Sequence, residues 1–432
     1  MSGVGGPGGT AWRLAFALQR VGGQARRLQR LVRRVRGGGE PRFELSPPLD
    51  DAQIESLYRA MVGGESFYDR RYAWQLSAHQ EQRDAARDAA RLLVERLRPR
   101  TALDVGCGTG ELVARLRSLG VDAWGCDFSE AILRRSLRPV RPYLRREDVE
   151  DLGGHPDREF DLVSCMEVLE HLPQRHVEET VAELRRIARG TVFITVPSFG
   201  PDVTGGYGLP MHDSWLEDAR ADRRFRRIVV GEDGRPHHGH LTLASHRWWT
   251  DLFLRHGLSR NNDIEAAMLR DRRRSLARWR LNPYVLHEVR GASWVAGESC
   301  VRQGVAGWHD LEQDPEGRAF RWTTERSTAV LLGGPAHQRL RLTVAGAPPS
   351  LVHDQAVELA VAPALGGGDA VRRTLEVPLG RWSEILVDGL SVAGGPVHVT
   401  LDVVRTFRPS RLPGGSADTR ELGVMVSRMS LE

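Results

Sequence analysis

The stretch Leu103–Glu111, LDVGCGTGE, decides how the rest of the chain is read. An apolar run carrying Asp104 gives way to a turn with Gly106, Gly108 and Gly110, and helical text resumes at Glu111. The glycine spacing is GxGxG. A dinucleotide-binding turn prefers GxGxxG, which seats a pyrophosphate on a helix N-terminus. A P-loop ends in Gly-Lys-Ser/Thr, and this chain has no lysine. A GxGxG turn offers instead close backbone approach to a ligand without a bulky phosphate.

The flanking text alternates in type. Upstream, RDAARDAARLLVERL (83–97) reads as a helix. Downstream, DAWGC (122–126) is a strand that ends at Asp127, FDLVSCMEV (160–168) is a second, RHVEETVAELRRIA (175–188) is a helix, and GTVFITVPS (190–198) is another strand. Alternating β and α elements predict a doubly wound, Rossmann-like, mostly parallel sheet with helices on both faces. Segment 199–244 is too long for a plain connection and reads as a substrate lid. The helix HRWWTDLFLRHG (246–257) follows, with Ser245 as N-cap and Gly257 as its stop. PYVLHEVRG (283–291) can close the sheet. On the carboxyl edge of such a sheet, Asp127 can accept both hydroxyls of a ribose. Asp148 and the Val149 backbone can meet an adenine edge.

In that order, these motifs resemble the class I S-adenosylmethionine-dependent methyltransferases over residues about 84–290. LDVGCGTGE is similar to that family's first motif, CDFSEAIL (126–133) to its acidic ribose motif, and FDLVSCMEVLEHLP (160–173) to the fourth-strand motif of its small-molecule branch, which includes quinone O-methyltransferases. The resemblance implies S-adenosyl-L-methionine as cofactor. It places Asp104, Gly106, Cys107, Gly108 and Gly110 around the methionine part. It gives the ribose to Asp127, the adenine face to Phe128 and the adenine edge to Asp148 and Val149. Met166 and Glu167 then lie near the transferring methyl. Cys107, Cys126 and Cys165 read as small, apolar lining of a tight site rather than a redox switch.

A hydroxyl acceptor must lose a proton, so a base is sought near this edge. The candidates are His171 in EVLEHLP, His212 in GLPMHDSW, and His240 in PHHGHLT. Each has a structural alternative: His171 can orient the site and His240 can lead into the helix at Ser245. PHHGHLT (236–242) suggests a metal, but its spacing does not support one. Adjacent His237 and His238 would point apart in an extended chain, and no nearby Cys or acidic cluster completes four ligands. The expectation is no metal.

Beyond residue 300 the texture changes. RLRLTVAGAP, AVELAVAP, RRTLEVPLG, EILVDGL, PVHVTLDVVRTF and LGVMVSRMSL alternate apolar and polar residues between Gly- and Pro-rich turns. That predicts an antiparallel β-sandwich. DTRELGVMVSRMSL (418–431) and GWHDLEQDPEGRAFRWT (307–323) resemble a C-terminal accessory module of bacterial surface-polysaccharide enzymes. Trp308, Trp322 and Trp382 can then stack on sugar rings or fill the sandwich core. Asp418 and Arg420 can be a stabilising pair.

The expected organisation is a basic amphipathic segment 1–40, a helical lead-in and substrate cap 41–83, a methyltransferase domain 84–297 with the lid 199–244, and a sandwich 300–432. The expected function is O-methylation of a sugar hydroxyl on a surface glycan or its precursor. One alternative acceptor is a quinone-like or natural-product phenol. The other alternative is a non-catalytic assembly subunit.

The 432 residues are 41% hydrophobic and 27% charged, a globular composition. All 61 basic residues are arginine, balanced by 56 acidic ones for a net charge of +5, and they are spread along the chain. A nucleic-acid binder concentrates such charge on one face, so no nucleic-acid partner is expected. The exception is Arg26, Arg27, Arg30, Arg33 and Arg34 around Leu28, Leu31, Val32 and Val35. Residues 10–36 could rest on the inner face of a membrane. Four cysteines at irregular spacing make no disulfide framework, and no secretory or membrane-spanning text stands out. The expected compartment is the cytoplasm.

Overall fold

A computed structural model describes residues 44–62, 80–199, 212–231, 234–270, 282–289, 291–296, 304–350, 355–366, 368–390, 394–411 and 416–432. The basic segment 1–40, with its expected membrane contact, lies outside the described residues. No helix among them is long and apolar enough to cross a membrane.

By its internal contacts the chain divides into two compact units: residues 1–252 with 267–284, and residues 253–266 with 285–432. The first contains helices α1 (Asp51–Val62) and α2 (Gln80–Leu97) and then β1 (Thr101–Val105), α3 (Glu111–Ser118), β2 (Asp122–Asp127), β3 (Leu144–Arg146), β4 (Phe160–Met166), α4 (Gln174–Ile187) and β5 (Ala188–Thr195). The five strands lie in the order β5-β4-β1-β2-β3, all parallel. The order reverses between β1 and β4, the switch point where a doubly wound sheet binds its ligands. Both central strands are apolar almost throughout because both faces are covered. Helix α4 buries Val177, Val181, Leu184 and Ile187, one stripe at helical spacing, on the sheet.

Segment 199–244 is described at 199, 212–231 and 234–244. It holds helix α5 (Asp213–Arg220) and has a core of its own, Phe199, Trp215, Phe225, Val229 and Leu243. Trp215 stacks on Phe225 at 5.0 Å, and its indole donates to the Arg227 carbonyl at 2.9 Å. Buried Asp218 accepts from the guanidinia of Arg223 (2.7 Å) and Arg226 (2.9 Å). Ser245 caps the next helix, α6 (His246–Arg255), by accepting from the Trp248 amide at 3.0 Å, and Gly257 (φ 72°) follows its end.

Strand β6 (Leu258–Arg260) pairs antiparallel with β7 (Pro283–Glu288). After β8 (Ser293–Val295) come β9 (Gly304–Gln313), β10 (Ala319–Gly333), β11 (Arg339–Ala345), β12 (Ala356–Pro363), β13 (Val371–Glu376), β14 (Ser383–Asp388), β15 (Gly395–Val403) and β16 (Met425–Leu431). The path is β13-β12-β15-β10-β16-β11-β14, with β8 on β16 and β9 on β10, all antiparallel. The sandwich is therefore one sheet folded on itself. The 15-residue β10 pairs with β15 at one end and β16 at the other. Leu331, Leu342, Val399, Val426 and Met429 fill the space inside. Within the second unit Trp294 of β8 pairs with Met429, and the Gly307 and Trp308 amides donate to Asp263.

Candidate functional site

The cofactor edge is built by the turn after β1. Gly106, Gly108 and Gly110 adopt φ of 70°, 56° and 74°. A side chain at Gly106 would collide with Val168 Cγ2, whereas the space over Gly108 is open. That opening is what a ligand approaching the backbone requires. The Cys107 amide donates to the Cys126 carbonyl at 2.9 Å, which ties the turn to β2. Asp127, 7% exposed, accepts the Gly108 amide at Oδ2 and the Ser129 amide at Oδ1, both at 2.9 Å. Burial pushes this carboxyl up to about 6, against those two donors. Each oxygen keeps a further lone pair for a ribose hydroxyl.

Asp104 accepts the Ser164 hydroxyl at 2.7 Å across the switch point, and burial raises it to about 7. Asp148 is exposed and accepts the Glu150 amide at 3.1 Å; Val149 beside it is half-buried. Cys107, Cys126 and Cys165 are buried, and burial drives their thiols up, so they are inert lining.

Phe128 is half-buried against Ile54, Met61 and Leu241. Helix α1 thus packs over Phe128. His176 of α4 anchors it: Nε2 lies 3.0 Å from Glu55 and Nδ1 2.8 Å from Glu150, to which Tyr58 also donates. Sequence reasoning missed this tie because its three elements are far apart in the chain.

The strand β4 ends at half-buried Met166. Glu167 then takes φ 54°, a costly conformation for a residue with a side chain. Its amide donates to the Thr195 carbonyl at 2.8 Å, and burial raises its carboxyl to about 7. Val168 fills the space above Gly106, and the turn Leu169–His171 follows.

Two candidate bases meet here. His171 (7% exposed) and His240 pack edge to face, with ring centroids 4.9 Å apart. His171 Nδ1 lies 3.2 Å from the Gly239 carbonyl. Burial lowers His171 to about 4 and takes His240 well below its usual value, so both rings are neutral. Between them lies Glu170, wholly buried; its Oε1 is 3.7 Å from His240 Nε2 and 4.0 Å from His171 Nε2.

PHHGHLT is not extended as expected. His237–Gly239 form a 3-10 turn with His238 at φ 55°, and the His237 and His238 rings are 3.9 Å apart rather than pointing away. The missing acidic partner is Glu170, supplied by a distant turn. His212 stands apart from this cluster: it is exposed and caps α5, accepting from the Ser214 amide at 3.2 Å. Another polar group escaped the sequence reading: His246 Nδ1 lies 2.8 Å from the buried Tyr284 hydroxyl.

In the sandwich, Trp308 (9% exposed) packs on Trp294, and Trp322 (8%) on Phe320 and Phe407. Trp382 donates to Asp314 at 2.8 Å beneath the Arg318 guanidinium. Arg420 bridges Asp418 and Glu312, both at 2.7 Å. The first two tryptophans are core, and the Asp418–Arg420 pair is structural.

Comparison with known proteins agrees with this geometry. Residues 77–260 match the family model described as a methyltransferase domain. A ubiquinone biosynthesis O-methyltransferase of Methylococcus capsulatus is 40% identical over 103 residues, covering 22% of this chain and 43% of that protein. Its counterpart in Bordetella avium is 37% identical over 82 residues, 18% of this chain and 34% of that one. The chain thus spans less than half the length of these curated relatives. A solved 1,6-didemethyltoxoflavin-N1-methyltransferase of Burkholderia thailandensis aligns at 16% identity and TM-score 0.35, over 57% of this chain and 97% of that one. Over residues 77–260 the family match, the glycine turn and the buried acid after β2 agree on a methyltransferase domain.

Proposed function

We propose that the protein transfers a methyl group from S-adenosylmethionine to the hydroxyl of a phenolic, quinone-like small molecule. The observation that carries the acceptor class is the 103-residue likeness to a ubiquinone biosynthesis O-methyltransferase. The glycan acceptor expected from the C-terminal module rested on stacking tryptophans, and two of these lie in the sandwich core. The non-catalytic reading has against it an intact glycine turn and a buried Asp127 with lone pairs to spare.

The cofactor supplies an electrophilic methyl on a sulfonium. The chain's part is alignment and electrostatics, which provide most of the rate in such a transfer. Asp127 would hold the ribose, Phe128 under α1 the adenine face, and the open space at Gly108 the methionine part. The neutral His171 and His240 pack on each other at the turn that follows Val168.

The test is incubation of the full chain with labelled cofactor and two acceptor sets, dihydroxybenzoates with lipid-linked quinone precursors, and saccharides. Methylated phenols are expected. Label entering saccharides alone would overturn the acceptor class. Label entering neither, with cofactor bound, would count against the transfer itself.

A further inference from the structure

We infer that the parallel sheet carries a further ligand site, for a single aromatic ring that bears a carboxylate. A cavity of about 150 Å³ opens between the sheet and the connection 147–159. Thr101, Asp122 and Phe160, which line it, are the first residues of β1, β2 and β4. It therefore starts at the edge of the sheet opposite the glycine turn. None of the residues assigned to the cofactor lines it, so ring and cofactor can be bound together.

The cavity exists because this connection has no helix. Strands β1 and β2 are joined through α3, and β4 and β5 through α4, but residues 147–159 cross from β3 to β4 as turns. A doubly wound sheet otherwise covers its faces with helices. The turns are held from two sides. His155 Nε2 lies 3.0 Å from Glu147 and Nδ1 3.0 Å from Glu159, and the ring packs on Phe160 with centroids 5.5 Å apart. Arg186 of α4 donates to the Leu152 and His155 carbonyls at 3.0 and 2.7 Å. The walls are thus preformed, which lowers the cost of ordering them around a ligand.

The walls suit a ring. Leu103, half-buried Trp124 and Phe160 supply apolar surface, and about 150 Å³ of apolar space is enough to hold benzene. Larger ring systems do not fit without moving the turns.

The mouth suits an anion. Each acid at the cavity is already engaged: Asp122 accepts from Arg117 at 2.9 Å, and Glu147 and Glu159 face the two ring nitrogens of His155. Arg145 is the exception. It lines the cavity from an exposed position, and its guanidinium lies 4.7 Å from the Trp124 ring centroid. Among the described residues it has no hydrogen bond and no ion pair. Stacking on the indole orients its planar fork of donors, which matches a carboxylate through two parallel bonds. A ring seated among Leu103, Trp124 and Phe160 then places its carboxylate at Arg145.

The test uses the full chain labelled with fluorotryptophan and titrated with benzoate. The fluorine signal missing from Trp124→Phe belongs to Trp124. It should shift saturably, with a dissociation constant of about 1 mM for so small a ligand. An aromatic acceptor bound at the methyl-transfer edge would leave that signal in place, so this test fails separately from the proposed function. Arg145→Gln should weaken benzoate binding by about 10- to 100-fold and keep the melting temperature, since its side chain is exposed. Benzylamine, the same ring with a cation, should bind more weakly than benzoate. A Trp124 signal that benzoate never moves would overturn the site. Benzylamine binding as tightly as benzoate, or undiminished benzoate binding by Arg145→Gln, would overturn the carboxylate. If Trp124→Phe does not fold, Trp124→Tyr supplies the assignment.

Discussion

Two buried carboxylates sit a few residues from the methyl-transfer edge and are held in opposite ways. Asp127 receives two backbone amides at 2.9 Å, and Glu170 receives no hydrogen bond at either side-chain oxygen. The first is a finished anion site, whose donors come from the loop that also positions the ligand. The second is a buried carboxyl without a hydrogen-bond partner, and burial and neighbouring Glu167 favour its protonated form. Asp127 is therefore held ready by the main chain, while Glu170 is held only through its own backbone. The two carboxyls should therefore fail independently.

Asp127→Ala should give the largest effect. It removes a charged acceptor for two ribose hydroxyls, each such bond being worth about 1.5–3 kcal/mol. Cofactor affinity should fall by about two to four powers of ten, measured by calorimetry, with methyl transfer lost. The packing of His171 on His240, read from their ring NMR signals, should not change; joint loss would break the contrast.

Gly106→Ala tests the one contact that joins the sides. The residue sits at φ 70°, and a Cβ there would meet Val168, which leads directly into the Glu170 turn. Left-handed strain and overpacking together should cost about 2–4 kcal/mol, read from urea unfolding. Both cofactor binding and the Glu170 cluster should suffer. The double change with Val168→Ala should recover the steric part and not the part due to φ.

What could be read in advance follows the same division. The cofactor edge comes from Leu103–Val149, on neighbouring strands, where each motif is contiguous and its backbone demand shows as glycine or acid. The cluster of Glu170, His171 and His240 joins turns 68 residues apart and has no local pattern. PHHGHLT was misread as extended because one residue, His238, turns the chain by adopting φ 55°. The core Phe199–Trp215–Phe225 hides in segment 199–244 because its spacing matches neither helix nor strand period. Alternation revealed the later sandwich strands. Strand β8 shows no such alternation of its own and pairs with the last strand, far along the chain.

A smaller effect is titration of the finished site. Burial lifts Asp127 from 3.8 to about 6 and Asp104 to about 7. Raised carboxyls hold protons better folded than unfolded. Their contribution to stability is therefore full below about pH 4 and is lost as pH rises through about 6–7. Cofactor binding runs the other way, since the ribose hydroxyls prefer ionised Asp127. Affinity should be roughly tenfold weaker at pH 5 than at pH 7, and Asp127→Asn should flatten that dependence. An unchanged slope in the Asn variant would assign it to another group.

The smallest effect is expected at His212, the candidate base that the fold places elsewhere. Its ring caps α5 through the Ser214 amide from an exposed position. His212→Ala should cost under about 1 kcal/mol of stability, the range of a modest N-cap, seen as a small drop in melting temperature. Turnover and its pH profile should match wild type. By contrast, His240→Asn should lower turnover without altering cofactor affinity, because its ring belongs to the Glu170 cluster. A loss of turnover at His212 equal to that at His240 would mean that α5 carries chemistry to the acceptor, and that the acceptor side extends beyond the cluster.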